Sequence, residues 1–256
     1  MSRKRAFTLI ELLVVISIIA LLISLLLPAL GRARFQTDIA LCGDHQRQWG
    51  IALRSFASDS KNRFPDNKDG VHFSWCGAGV RAFWKDYLIP LANSTQLQNN
   101  NILFCPTQQW HRDERAIGGT SILSGGLIGY FYLPDRFQGQ GGADYSFAGA
   151  QWVEKEQFDG PFSNAPIMMD MNQSINGDEW FHPDGTPYSS HITDSGVPLG
   201  QQYLFEDGHV RWIPTHQVEL GGTVGSWWLR YKIQVPGLPD TGRKPRSGRG
   251  GGRRRS

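Results

Sequence analysis

Three cysteines occur in 256 residues, Cys42, Cys76 and Cys105, and no two of them stand at C-x-x-C spacing. Without that spacing neither a zinc site nor a thioredoxin-type site is expected. There is no H-E-x-x-H, no G-x-S-x-G and no phosphate-binding loop, so the histidines at 45, 72, 111, 182, 191, 209 and 216 carry no hydrolase signature, and the chain is not expected to be an enzyme. No long apolar run recurs after residue 30, which limits the chain to one membrane span. Acids are missing from residues 1–6 and 243–256, where ten of the 26 basic groups lie. The other 16 face 23 acids, so the body is negative although the whole chain is +3. The basic excess belongs to the ends, and only the tail offers support for nucleic-acid binding.

What is present begins with an apolar run from Phe7 to Leu30, interrupted by one charge, Glu11. At roughly 1.5 Å per residue this helix spans about 36 Å, enough to cross a hydrocarbon core of about 30 Å. It is longer than the apolar core of a secretory signal, although Ala29 and Gly31 have the small side chains of a cleavage site. Arg3, Lys4 and Arg5 hold the N-terminus in the cytoplasm and place the body outside it. Physics leaves two readings of Glu11 open: a side chain close enough to the interface to reach water, or the mark of a partner inside the membrane.

The stretch RKRAFTLIE followed by an apolar helix resembles the class III signal of type IV prepilins and type II secretion pseudopilins. The resemblance implies a prepilin peptidase/methyltransferase as partner, cutting between Ala6 and Phe7 on the cytoplasmic side and N-methylating Phe7. The family usually has glycine before the cut, where this chain has Ala6. Glu11 then falls at mature position five, where family filaments pair it with the Phe7 amine of a neighbouring subunit. Each buried charge answers the other's desolvation cost, which sets the register of adjacent helices. The implied function is a structural subunit of a pilus or pseudopilus, made of copies of itself or other pilin-like chains and anchored in the inner membrane before assembly.

Pro28 removes a backbone hydrogen bond and should loosen the helix, as a proline commonly does at this place in family pilins. The helix should then resume to about Ala57, because Phe35, Ile39, Cys42, Trp49, Leu53 and Phe56 recur on one face, with polar His45 and Gln46 between. After Ser60, short segments such as VHFSW, ILFC, LIGYFYL, PIMMDM and QQYLFEDGHVRWI, parted by Gly, Pro, Asn and Asp, read as strands and loops. Asp207-Gly208 is expected to turn a hairpin as a type I′ pair. A long helix followed by mostly antiparallel sheet is an α+β fold, and this is the pilin plan.

The C-terminal part also resembles the processing-associated H-X9-DG module, through Phe205, Asp207, Gly208, His209, Val210 and Trp212. The upstream histidine would be His191, with fifteen residues before Asp207 in place of nine. The arm into Cys42, Arg63-Phe64-Pro65 and Phe104-Cys105-Pro106 also look like these proteins. The expected organisation is a leader at 1–6, a transmembrane helix at 7–30 and its amphipathic continuation at 31–60. A globular domain at 61–235 follows, with the H-X9-DG-like region at about 166–215, then a Gly/Arg-rich tail at 236–256 expected to be disordered.

Outside the cytoplasm, one disulfide and one free thiol is the natural count for three cysteines, with Cys42 to Cys105 the favoured pairing. The oxygen-rich stretch holding Asp170, Asn172, Asn176 and Asp178 is a candidate Ca²⁺ loop without full EF-hand spacing; no other cofactor is expected. Nine tryptophans suggest either an aromatic core or sugar-stacking surfaces. The latter makes a membrane-anchored carbohydrate-binding module the alternative function.

Overall fold

A computed structural model of the chain describes residues 8–70, 74, 76–89, 101–107, 128–135, 155–160, 163, 165–175, 180–181, 185, 187–193, 196–217, 219–224 and 227–231. Ala6, Phe7, Asn176, Asp178 and the tail lie outside the described residues.

The first element is a single helix, α1, Leu9–Asp59. Its 51 residues correspond to about 76 Å at ~1.5 Å per residue. Thr8 caps it in extended conformation, and the helix ends where Lys61 and Asn62 take positive φ of 55° and 63°. The Asn62 N–H then returns to the Ala57 carbonyl at 2.8 Å, which also accepts from the Ser60 N–H at 3.1 Å. Pro28 lies inside the helix without ending it. The hydroxyls of Ser17 and Ser24 donate to the carbonyls of Leu13 and Leu21, so polar groups in the apolar half are satisfied locally.

The halves of α1 differ in what they touch. From Leu9 to Leu30 the large apolar side chains are 44–86 % exposed. From Cys42 to Ala57 one face is buried, comprising Cys42, Gly43, His45, Gln46, Trp49, Gly50, Ala52, Leu53 and Ala57. The expected stripe is present from Cys42 to Leu53, whereas Phe35, Ile39 and Phe56 are only half-buried. Trp49 is the centre of the core under this face. Its ring lies 5.9 Å from Phe83 and 6.3 Å from both Trp84 and Tyr132, and its Nε1 donates to the Ile102 carbonyl at 2.9 Å. Phe83 ends the short helix α2, Ala78–Phe83, which a π-helical turn, Trp84–Leu88, continues.

Four strands form the sheet beneath α1: β1 (Tyr130–Tyr132), β2 (Pro166–Asp170), β4 (Gly200–Phe205) and β5 (Val210–Pro214), in the order β1-β2-β4-β5. Every pairing is antiparallel, with Phe131 opposite Met169, Met169 opposite Tyr203 and Tyr203 opposite Arg211. β3 (Gln173–Ile175), β6 (Glu219–Val224) and β7 (Trp227–Tyr231) form a second antiparallel sheet in the order β3-β7-β6. Gly43 and Gly50 let α1 approach β4 closely: a Cβ on Gly50 would stand 3.1 Å from Leu204 Cδ1, and one on Gly43 3.4 Å from Gln202 Nε2. A long N-terminal helix on an antiparallel four-stranded sheet is an α+β arrangement as in type IV pilins.

The β4–β5 hairpin forms where expected, but its turn differs. Of Asp207 and Gly208 only Gly208 has positive φ, 87°. Gly208 N–H donates to the Phe205 carbonyl and Phe205 N–H to the His209 carbonyl, both at 3.0 Å, so Glu206-Asp207-Gly208 is a three-residue loop with its left-handed glycine last. A type I′ pair would need Asp207 left-handed too; the longer loop spares it that strain. Glu206 is turned inward, where it pairs with buried Lys155 and accepts from the Asp159 N–H.

Candidate functional site

Two places concentrate the chemistry expected of the chain. The first is the start of α1. Glu11 Oε2 accepts from both the Thr8 backbone N–H and the Thr8 hydroxyl at 2.8 Å, while Thr8 Oγ1 accepts from the Glu11 N–H at 3.3 Å. This reciprocal pair is a capping box, and it places a carboxylate at the positive end of the helix dipole. The acid that looks misplaced in an apolar run therefore has a local partner. Its Oε1 has no hydrogen-bond partner among the described residues.

The second place lies under the buried half of α1, where four expected residues meet. Cys42 comes from α1, Cys105 from the segment after the 3-10 turn Asn101–Leu103, Asp170 from the end of β2 and His191 from the loop between β3 and β4. Each is fully buried, and their donor atoms all lie within 4.8 Å of one another. The Asp170 carboxylate is the hub. Oδ1 accepts from Cys42 Sγ at 2.9 Å and Gln46 Nε2 at 2.8 Å; Oδ2 accepts from the Gln202 N–H at 2.7 Å and lies 2.7 Å from His191 Nε2. Gln46 follows Cys42 by one helical turn, which is why both reach the same carboxylate.

Thr107 anchors the other side. Its hydroxyl accepts from the His191 backbone N–H at 2.9 Å and lies 3.1 Å from His191 Nδ1 and 3.2 Å from Cys105 Sγ. Cys105 Sγ is 3.5 Å from His191 Nε2. His191 itself has φ of +57°, the left-handed region that a bulky residue seldom occupies. It is held there by Thr107 and by the Leu199 N–H, which donates to its carbonyl at 3.0 Å. Its ring meets Trp212 edge-on at 5.4 Å.

The environment divides the charges. Burial pushes the Cys42 thiol well above its ordinary value, and neighbouring Cys105 and Asp170 add to this. Burial acts to raise Cys105 as well, but the hydrogen bond from Cys42 and the positive charge of His191 together outweigh it and hold that thiol at about 6. At His191 burial favours the neutral ring, yet the adjacent Cys105 and Asp170 charges outweigh it and raise the group to about 10. The hydrogen bond between the two sulfurs therefore acts in opposite directions on the two thiols, raising Cys42 and lowering Cys105.

Several expectations change. Cys42 and Cys105 are neighbours as predicted, but both are free thiols, as is Cys76. The expected Cys42–Cys105 disulfide is not formed in this structure: Cys42 bonds to Asp170, Cys105 contacts the Thr107 and His191 groups, and a hydrogen bond joins the two sulfurs. Asp170 and Asn172 are buried, and Asp170 faces the thiol cluster; Asn172 contacts Ser189. His191 does not meet Asp207 or Gly208; Asp207 instead accepts from the His209 N–H at 3.0 Å and from its ring. Of the tryptophans whose side chains are described, Trp49 and Trp84 lie in the core, Trp180 is buried and Trp212 is half-buried. Sequence reasoning missed Gln46, Thr107 and Gln202 as partners. Only Gln46 carried a signal, as a polar residue in an apolar stripe.

No curated protein and no solved structure matches the chain. Residues 1–27 match the protein family described as the prokaryotic N-terminal methylation motif, and this likeness supports a type IV pilin-like protein.

Proposed function

We propose that the chain is a structural subunit of a type IV pilus or a type II secretion pseudopilus. A prepilin peptidase trims it between Ala6 and Phe7, methylates Phe7, and leaves a subunit that assembles through α1. The observation that carries this is the methylation motif at residues 1–27 running into a helix whose first half is apolar and bare while its second half is packed on the sheet. Bare apolar surface of that size suits lipid before assembly and neighbouring helices after it. The protein is a substrate of processing enzymes, and its work is mechanical.

Glu11 fits both stages. In the single subunit one carboxylate oxygen serves the Thr8 cap, which lies beyond the proposed cut and survives it. The other oxygen is available for the Phe7 amine of a neighbour, so assembly can add an ion pair without dismantling the cap. The Asp207-Gly208 hairpin, which resembles the end of the H-X9-DG module, agrees with this reading.

Mass spectrometry of the N-terminal peptide from native membranes tests the proposal. A peptide starting at N-methyl-Phe7 is the expected result. An intact Met1 or Ser2 terminus, or a cut after Gly31, overturns it.

A further inference from the structure

We propose that Cys42, Cys105, Asp170 and His191 form a zinc site that fastens the second half of α1 to the body of the protein. The proposal is independent of the filament reading, since it concerns the core and not the N-terminus.

The donor set is the first reason. Two thiols, an imidazole and a carboxylate, all fully buried and with their ligand atoms within 4.8 Å, make a four-ligand set of mixed S, N and O type. Thiolates and imidazole favour zinc over the hard cations Ca²⁺ and Mg²⁺, which take oxygen ligands. A tetrahedron with bonds of about 2.0–2.3 Å sets its ligand atoms about 3.3–3.8 Å apart. Cys105 Sγ and His191 Nε2, at 3.5 Å, already stand in that range. The Cys42 to Asp170 contact at 2.9 Å and the His191 to Asp170 contact at 2.7 Å are hydrogen bonds, which open by a fraction of an ångström when the metal replaces their protons.

Connectivity is the second. Cys42 Sγ and His191 Nε2 each reach one oxygen of the Asp170 carboxylate, at 2.9 Å and 2.7 Å, so two hydrogen-bond bridges already join three of the four ligand atoms. Zn²⁺ binding replaces the bridging protons, which leave to solvent, and no electrons move.

The surroundings are the third. Metal-bound histidine characteristically has its other ring nitrogen held by a second partner, and Thr107 Oγ1 stands 3.1 Å from His191 Nδ1. Gln46 Nε2 and the Gln202 N–H orient the carboxylate from behind. The left-handed backbone of His191 is a local cost at a buried position, of the kind retained where a side chain must be aimed. Cys42 and Asp170 are 128 residues apart in sequence, and Cys105 and His191 86 apart, so the ion would close long loops, where a clip restrains the unfolded chain most.

The test uses the full chain purified in detergent under reducing conditions, with Zn²⁺ and Co²⁺ as the probes. One equivalent of zinc per chain that resists a chelating resin is expected. With cobalt, the strong visible bands of tetrahedral Co²⁺ and a thiolate-to-cobalt charge-transfer band should appear. Cys105→Ser and His191→Gln should each abolish retention of zinc on the resin, Thr107→Val should weaken binding about 10-fold, and Cys76→Ser should leave it unchanged. The wild-type cobalt spectrum decides the matter even if a ligand variant fails to fold. Absence of the charge-transfer band from folded wild-type protein overturns the proposal, as does zinc binding that Cys76→Ser removes. A Cys42–Cys105 disulfide in protein taken from native membranes overturns it too.

Discussion

The two halves of α1 solve opposite problems with one continuous helix. From Leu9 to Leu30 the side chains are apolar and bare, and the few polar groups are satisfied within a turn of themselves: Glu11 by Thr8, Ser17 by Leu13, Ser24 by Leu21. From Cys42 to Ala57 the helix is covered, and its polar groups are satisfied by distant segments: Cys42 and Gln46 by Asp170, His45 by the Phe104 carbonyl at 3.3 Å, Trp49 by Ile102. A segment meant for lipid or for a helical neighbour must satisfy its polar atoms internally, because neither offers water. A segment meant for a folded body can leave that task to the sheet.

Substitutions can break this contrast. The largest effect belongs to the covered half: Trp49→Ala removes a fully buried ring and its hydrogen bond and should cost about 3–5 kcal/mol in urea unfolding followed by circular dichroism. Leu22→Ala, on the bare half, should change the stability of the body by less than about 0.5 kcal/mol. A large loss from Leu22→Ala would mean that the front half packs on the body.

Glu11→Ala should act locally and between subunits. Loss of half of the capping box loosens the first turn of the helix, the body keeps its unfolding midpoint, and the protein still inserts in the membrane while filament yield falls. Normal filament yield, read by shearing and immunoblot, would show that the proposed pairing with Phe7 is absent.

Two glycine variants sharpen the comparison most. Gly31→Ala meets no atom within 4 Å, so the helix should gain up to about 1 kcal/mol of propensity. At Gly50 the same gain is opposed by the Leu204 contact at 3.1 Å, and overpacking of about 1–3 kcal/mol should leave Gly50→Ala less stable than the parent. Equal shifts in the two variants would mean that α1 does not press on β4.

Local patterns were legible in the sequence. The long helix, its stripe through Trp49 and Leu53, and the hairpin at Asp207-Gly208 follow from periodicity and turn chemistry within about a dozen residues. The turn type was misjudged because Asp-Gly suits two loop lengths, and the register that selects one is set by the pairing of Leu204 with Val210. The thiols follow the same logic: Cys42 and Cys105 are neighbours, and their further partners come from β2 and from the loop before β4. C-x-x-C spacing says nothing about ligands delivered singly by four elements.

By itself, then, the sequence determined what short-range forces decide: an apolar run long enough to span lipid, a processing-type motif ahead of it, and an amphipathic face ready to be covered. Only the tertiary structure decided that Cys42, Cys105, Asp170 and His191 share one buried cluster and that Gln46 and Thr107 hold them there. Side chains as distant as Cys42 and Asp170, 128 residues apart, can be brought together only by sheet register and helix docking, and these follow from the packing of the whole core.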